Sequence, residues 1–559
     1  MKLIPFPWSL SAFRRGESGD PPGWLLGLLV LAWLLPGLVG HDPWKPDEGY
    51  SMGLIYHIME SGDWVVPTLG GEPFMEKPPI YYITAAQLAH FFSPWLPLHD
   101  GARLTSGFYM AIVLLCVALT GRELYGKGNG RISLLLLLGA IGLVPHAHQM
   151  ITDTALLAGF AIALYGLALT GRCFLLGGGL LGLGTGLGFM AKGLLAPVIL
   201  GGVVCVLLLF HDWRNRRFFY ALAVALLVAL PWLTLWPYLL YQYHPVQFDT
   251  WFWDNNYGRF FGSSELATRH DPSYYLQALT WFTGPGIPLA LLALWQSRPS
   301  VAATTPGYPV QLPLVMASVV LFTLFASAAM RTLYILPFLL PIALLATPAV
   351  AGYRRQMPRW PGMLLITLFG SLLLLIWGVW LLVILQLVPP AFWQRVGVMS
   401  LPAGGTPWQG LAFAVAALAS GAWIVGIRRM APSARDLLTG WSSGVALVWL
   451  LWMTLWLPVI DHGKSYRSMV EGLKQAIPAS STCIASRALG EPQRALLHYF
   501  GPIFTHRLEN GPADPPCDLL LIQSESATIH NPPADGVLLW RGGRPGDNKE
   551  WYALYRLRR

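Results

Sequence analysis

Charge is what this 559-residue chain has little of: 12% of its residues are Asp, Glu, Lys or Arg, while 54% are hydrophobic. A soluble globular chain carries about 25% charged residues. The length would suit three or four soluble domains, but so little charge could not cover their surfaces. Low-complexity polar tracts are absent, which excludes a disordered or nucleic-acid-binding tail. No P-loop, Rossmann glycine fingerprint or metalloprotease helix is present, which argues against an ATP-driven primary transporter. No repeat recurs at a solenoid period, and no inverted repeat is evident, which disfavours a secondary transporter. The net charge of +9 therefore has to be explained by where the cations sit, and loops between membrane spans are the first place to look.

Long apolar runs are what the chain does have. A span needs about 20 mainly apolar residues. Such runs fall near residues 24–39, 105–120, 132–148, 154–170, 175–191, 194–210, 218–238, 275–295, 311–329, 333–350, 363–385, 411–427 and 441–459, about 13 in all. The first follows Lys2, Arg14 and Arg15 without a small-residue cleavage site, so a retained first helix is expected rather than a signal peptide. With the N-terminus in the cytoplasm, clusters such as Arg122, Lys127, Arg131 and Arg214, Arg216, Arg217 fall on the cytoplasmic side. The loops on the other side are poorer in Lys and Arg, as the positive-inside rule requires. An odd number of spans then leaves the tail outside.

The domain expectation follows: a polytopic α-helical membrane part over residues 1–460, with external loops near 40–104 and 239–274, and an external α/β domain over 461–559. In the tail, helical patterns near 465–476 and 491–500 alternate with strand-like runs near 482–485, 518–522, 536–540 and 552–555. Cys116, Cys173 and Cys205 lie in or beside spans and are expected to pack. Cys483 and Cys517 share the tail, where a disulfide and two buried thiols are both open readings.

Candidate chemistry concentrates on the external face. Lys45-Pro46-Asp47-Glu48 follows the first span, and Glu76-Lys77-Pro78-Pro79 precedes the Tyr81-Tyr82 pair. Residues 50–60 between them have the apolar spacing of an interfacial amphipathic helix. A solvated loop in which Lys77 pairs with an acid is the bland alternative. Asp153, Lys192 and Arg331, the last close to Tyr334, each sit at the external end of a span, where snorkelling or capping is the competing reading. Cations and carboxylates on one membrane face suit an anionic lipid headgroup, with the cations on its phosphate and the carboxylates toward the reacting group. The Gly182–Gly188 stretch lies inside an apolar run and reads as a close helix contact rather than a phosphate loop. Glu76, His244 and His270 lie in external loops whose convergence would make a weak metal site; lone loop histidines are more often surface residues.

At these residues the chain resembles membrane glycosyltransferases of the GT-C fold, especially the bacterial aminoarabinose–lipid A transferases and their relatives, the protein O-mannosyltransferases. The motifs that carry it are Lys45-Pro46-Asp47-Glu48, Ser61-Gly62-Asp63-Trp64-Val65-Val66-Pro67, Glu76-Lys77-Pro78-Pro79-Ile80-Tyr81-Tyr82, and Gly186 through Gly193. Arg331 with Tyr334-Ile335-Leu336-Pro337, and Ile460-Asp461-His462, add to it. The resemblance implies a polyprenyl-phosphate sugar as donor, undecaprenyl phosphate as carrier, and lipid A or a related envelope glycolipid as acceptor, with 4-amino-4-deoxy-L-arabinose among the candidate sugars. It implies no required cofactor, since the lipid phosphodiester is already activated, and no nucleic-acid partner. It makes Asp47 the catalytic carboxylate, with Glu48 and Asp153 as further catalytic candidates. Lys77, Lys192, Arg259, Arg331 and Tyr334 would bind the donor phosphate, and Glu76, Tyr81 and Tyr82 would support the site. The family commonly has an arginine three residues after the Asp47 position, where this chain has Tyr50. A protein acceptor is the alternative within the fold; a lipid-linked sugar flippase is the alternative outside it.

Overall fold

The structure, a computed structural model, describes residues 22–262, 273–297, 308–328, 331–353, 355–387, 409–511, 516–526, 532–545, 547 and 549–557. In chain order the first helices are α1 (Gly23–Leu34), α2 (Asp47–Ser61), α3 (Ile80–Phe92), α4 (Leu98–Tyr125), α5 (Asn129–Leu138), α6 (Leu143–Ala147), α7 (Thr152–Leu169), α8 (Phe174–Lys192), α9 (Leu195–Leu207) and α10 (Arg216–Tyr243). Every apolar run of the sequence falls on a helix. Among the described residues nine helices are long and apolar enough to cross a bilayer. A pair of helices, Ser273–Phe282 and Gly286–Gln296, bent by 89°, makes a tenth if it is counted as one span. Three shorter apolar helices, α1, α5 and α9, account for the rest. The chain is a multi-pass membrane protein.

The bundle has an inside and an outside. Helix α7 is buried along nearly its whole length, whereas the Arg359–Ile384 helix is buried along a narrow stripe and exposes Leu364, Leu368, Leu374 and Leu375. That outward apolar surface suits lipid, which leaves no backbone group unpaired against a helix. The glycines of α8 explain its close fit. A Cβ at Gly184 would lie 2.4 Å from the Gly159 carbonyl of α7, and one at Gly182 would lie 2.4 Å from the Ala225 carbonyl of α10. No side chain fits there, so the glycine run is a packing seam between three helices.

Residues 484–557 build a five-stranded sheet in the order β4-β3-β5-β7-β6, from β3 (Ile484–Arg487), β4 (His506–Arg507), β5 (Leu519–Ser524), β6 (Gly536–Gly543) and β7 (Trp551–Leu557). The β3–β4 and β3–β5 pairs are parallel; β5–β7 and β6–β7 are antiparallel. Side chains alternate along β5. Leu519 and Leu521 join Met469, Leu473, Leu496 and Leu497 of the covering helices Arg467–Ala476 and Glu491–Phe500, while Leu520 and Ile522 face Ala485 and Ala553 on the other side. A disulfide joins Cys483 and Cys517 at the starts of β3 and β5. A two-stranded hairpin, β1 (Thr68–Leu69) with β2 (Glu72–Pro73), lies between α2 and α3.

The stretch expected as an interfacial helix is α2, and its apolar side is covered by protein rather than lipid. Residues Glu48 to Ile55 are buried, and Gly53 lies so close to the Glu491–Phe500 helix that a Cβ would come within 2.6 Å of the Ala495 Cβ. The helix stops at Gly62, whose φ of 73° is the left-handed cap geometry that glycine adopts at low cost.

Candidate functional site

Helices α7 and α8 form an antiparallel pair, so the start of one meets the end of the other. Asp153 lies in the first turn of α7 and Lys192 in the last turn of α8, the ends where helix dipoles favour an acid and a cation respectively. The two form an ion pair, with Lys192 12% and Asp153 3% exposed. The Lys192 ammonium also lies 4.4 Å from the centroid of the Tyr334 ring, a cation–π contact.

A second pair lies close by. Arg259 Nη1 donates to Glu76 Oε2 at 3.1 Å. Arg259 follows a π-helical turn, Thr250–Gly258, fixed to neighbouring loops by Asn255 Nδ2 donating to the Met75 carbonyl (3.1 Å) and by the Leu194 amide donating to Asn256 Oδ1 (3.2 Å). Beneath it Val66, Met75, Phe189, Met190, Trp236 and Trp251 make a small apolar core of their own. Burial alone would raise the Glu76 carboxyl, but the charges of Lys77, Arg259 and Arg331 and the Arg259 hydrogen bond outweigh it and hold it below the usual carboxylate range.

Asp47 opens α2 and accepts a hydrogen bond from the Tyr50 hydroxyl. The Tyr50 ring stacks on Phe74 (5.6 Å between centroids), and the Lys77 ammonium lies 5.3 Å from its centroid. Tyr50 thus stands between the carboxylate and a cation. Lys77 is 8% exposed and makes no ion pair among the described residues, nor does the Arg331 guanidinium. The Arg331 amide instead donates to the Tyr275 hydroxyl at 3.3 Å. Asp47, Glu76 and Asp153 all act electrostatically on the buried Tyr82 hydroxyl, which has no hydrogen-bond partner of its own. Asp47, Glu76, Lys77, Tyr82, Asp153, Lys192, Arg259, Arg331 and Tyr334 therefore share one region at one end of the bundle.

Glu48 and Tyr81 do not share it. Glu48 is 2% exposed and its oxygens accept from Arg103 Nε (2.9 Å), the Met150 amide (3.1 Å) and the Trp44 amide (3.0 Å). Both oxygens are engaged by the scaffold, so Glu48, expected as a catalytic candidate, is placed where it holds the start of α2. The Tyr81 hydroxyl bonds Ser106 at 2.7 Å inside the core, a packing role. For the expected metal ligands, Glu76 is paired with Arg259 and His244 is an exposed residue at the end of α10; among the described residues no three His, Cys, Asp or Glu side chains converge. His270 lies outside the described residues.

The sequence reading missed a buried ionic knot beside the site. Arg103, expected in a loop, is fully buried in α4 and donates to Glu48, to Asp100 (2.8 Å) and to the carbonyls of His41 (3.1 Å) and Asp42 (3.4 Å). The Asp100–Arg103 spacing of three residues was the available signal. The Asp42 carboxylate accepts from Arg467 (3.0 Å) and Ser465 (2.6 Å), and its amide donates to Asp461 (2.9 Å). Lys45 reaches Asp547 (3.3 Å) and Glu550. Burial would raise Glu550, but the hydrogen bonds it accepts from Lys45, Tyr466, Tyr552 and Gln493 prevail and hold it at about 2.

A family model described as dolichyl-phosphate-mannose-protein mannosyltransferase matches residues 77–236. An undecaprenyl phosphate-alpha-4-amino-4-deoxy-L-arabinose arabinosyl transferase 2 of Pseudomonas fluorescens is 30% identical over 348 residues, 59% of this chain and 60% of that protein. Its counterpart from Pectobacterium carotovorum is 32% identical over 352 residues, 59% of this chain and 58% of that protein. The chain thus aligns with about three fifths of the length of these curated relatives. The crystal structure of ArnT from Cupriavidus metallidurans bound to undecaprenyl phosphate superposes with a TM-score of 0.67 at 17% identity, covering 96% of this chain and 98% of that one. The apo structure gives 0.64. The chain has the GT-C fold, and the resemblance drawn from the external motifs is borne out at that level.

Proposed function

We propose that the protein is a glycosyltransferase that moves a sugar from undecaprenyl phosphate, or a closely related polyprenyl phosphate, to lipid A or a related envelope glycolipid. The observation that carries this reading is the pairing pattern at the bundle end. Asp153–Lys192 and Glu76–Arg259 are mutually neutralised, which leaves Lys77 and Arg331 as cations without a carboxylate beside Asp47. Surplus cations in a largely buried site suit one anionic phosphate. The arabinosyl transferases named above support the sugar, 4-amino-4-deoxy-L-arabinose, and the undecaprenyl phosphate bound to the Cupriavidus protein supports the carrier.

The chemistry is a displacement at the anomeric carbon. The bond from that carbon to the phosphate oxygen breaks, and the phosphate leaves with the electron pair. Lys77 and Arg331, helped by Lys192 and Arg259, stabilise the charge that develops there, an effect of about 3–4 kcal/mol per donor. The acceptor oxygen forms the new bond from the opposite face, so the configuration inverts. A hydroxyl acceptor passes its proton to Asp47. A phosphate acceptor carries no such proton, and Asp47 then orients the sugar. The site faces the periplasm in this reading, the side to which the loop charges assign it and where the Cys483–Cys517 bridge is stable.

The test is transfer by purified protein from mass-tagged undecaprenyl-phosphate aminoarabinose. Mass gain on lipid A supports the proposal. Gain only on a Ser/Thr peptide replaces the acceptor with a protein, a reading favoured by the description of the matching family model. Movement of the donor across a bilayer without any bond change overturns both.

A further inference from the structure

The end of α2 that carries Asp47 is held by neighbouring residues, by Arg103 and Met150 through Glu48, and by a set of residues more than 400 positions further along the chain. The Trp44 carbonyl accepts from the amides of Glu48 (3.1 Å) and Gly49 (3.2 Å), and the Glu48 carboxylate returns to the Trp44 amide (3.0 Å), closing the first turn from both sides. The Trp44 indole donates to Asp461 at 2.9 Å. Lys45, two residues before Asp47, pairs with Asp547 and with the nearly fully buried Glu550. Glu550 is itself immobilised by Tyr466 (2.6 Å), Gln493 (2.7 Å) and Arg544 (3.3 Å). Gln493 lies on a helix that covers the sheet, Tyr466 caps the start of the other covering helix, and Arg544 lies in the connection between β6 and β7, so the ammonium of Lys45 is fastened to the sheet domain. One turn further along, α2 lies against the Glu491–Phe500 helix, where a Cβ on Gly49 would come within 3.1 Å of Pro492 and one on Gly53 within 2.6 Å of Ala495.

A lysine fixing a loop to a domain needs one surface carboxylate. Here the lysine enters a closed network of two carboxylates, a guanidinium, two phenols and an amide, and directly precedes Pro46, the N-cap of α2. We infer that Lys45, held by Glu550 and Asp547, is a positioning residue for Asp47, and that the sheet domain serves the reaction by fixing the start of α2 against the cations of the membrane part. This rests on the reading of Asp47 as the acting carboxylate. Lys45 touches no reactant. Its effect is on where the Asp47 oxygens stand, and a displacement of about 1 Å at such a group costs on the order of 100-fold in rate.

Full-length Lys45→Met, Lys45→Arg and Asp547→Asn proteins, with Asp47→Asn beside them, are compared for melting temperature, affinity for undecaprenyl phosphate, and transfer from undecaprenyl-phosphate aminoarabinose. Lys45→Met is expected to lower kcat about 10–100-fold while leaving lipid-phosphate affinity close to wild type; the melting temperature falls, because the buried Glu550 carboxylate loses its cation. Lys45→Arg, which keeps the charge, should restore most of the rate, and Asp547→Asn should fall between. A wild-type kcat in Lys45→Met overturns the inference. So does a loss of undecaprenyl phosphate affinity in step with the rate, since the pair would then merely keep the domain docked. Should Lys45→Met fail to fold, Asp547→Asn decides, and an unchanged kcat there is the overturning result. If Asp47→Asn stays active, the reading of Asp47 falls with it. If Asp47→Asn is inactive while Lys45→Met is normal, only the positioning role falls.

Discussion

Two groups of charged side chains lie side by side at one end of the molecule, and they differ in how their charges are balanced. In the knot around Arg103 every guanidinium nitrogen has an acceptor, and Glu48 and Asp42 are filled on both oxygens. In the cleft beside it, two ion pairs are complete, but Lys77 lies over a tyrosine ring, Arg331 has no carboxylate among the described residues, and the Tyr82 hydroxyl has no partner. Burial differs as well: Asp42, Glu48, Asp100 and Arg103 are buried, whereas in the cleft Lys77, Tyr82 and Asp153 are buried and Asp47, Glu76, Lys192, Arg259 and Arg331 are half-buried. A satisfied network is scaffold, because its groups have nothing left to offer a ligand. A network with unspent donors carries a standing cost of about 1–3 kcal/mol for each unpaired buried group, which a bound anion would remove.

The comparison can be broken at either side. Arg103→Met removes the hub of the knot and leaves Glu48 and Asp100 buried without their cation. We expect a loss of about 3–5 kcal/mol of stability, read as a collapse in the yield of monodisperse protein; a well-behaved variant would mean the knot is dispensable. Asp47→Asn acts on the cleft, and transfer should fall by about 10³-fold with undecaprenyl phosphate still bound; near-normal turnover would remove Asp47 from the chemistry. Lys77→Ala should weaken undecaprenyl phosphate binding by about 10–100-fold, the size of one charge-assisted contact of 1.5–3 kcal/mol, without altering the melting temperature. Unchanged affinity would show that this cation faces something else.

The smallest effect concerns pH. Glu550 titrates at about 2 in the folded protein against 4.5 for a free carboxyl. Its contribution is therefore fully present above 4.5 and is lost as pH falls through about 2. The gap in melting temperature between wild type and Glu550→Gln should narrow over that interval, whereas a constant gap would mean that the charge of Glu550 takes no part in the grip on Lys45.

The spans were legible because hydropathy is a local property: an apolar run is apolar whatever it packs against. The strands of the tail were legible for the same reason, with β5 and β7 surrounded by turn residues. Where reading failed, the missing information was a partner far away in the chain. Helix α4 begins at Leu98 rather than near residue 105, because Asp100 and Arg103 interrupt the apolar pattern and cancel only through each other and through Glu48, 55 residues earlier. Strand β4 has two residues, too few for any periodicity. Within the cleft, the residue types announced a site for an anion, but which cations are neutralised and which are free is a matter of pairing, and no spacing along the chain encodes that Lys192 meets Asp153 while Lys77 meets a ring. Glu48 and Asp47 are neighbours in sequence, yet one belongs to the scaffold and the other faces the cleft, since consecutive residues at a helix start point about 100° apart.

The bond between Lys45 and Glu550 joins residues 505 apart, and this separation orders events during synthesis. Residues near Asp47 leave the ribosome with every span after the first still to come, and the partner that fixes them is made 505 residues after Lys45. Until β7 is in place the first turn of α2 lacks its anchor, so a half-made chain already threaded into the membrane and exposed to its lipids has no finished site with which to act on them.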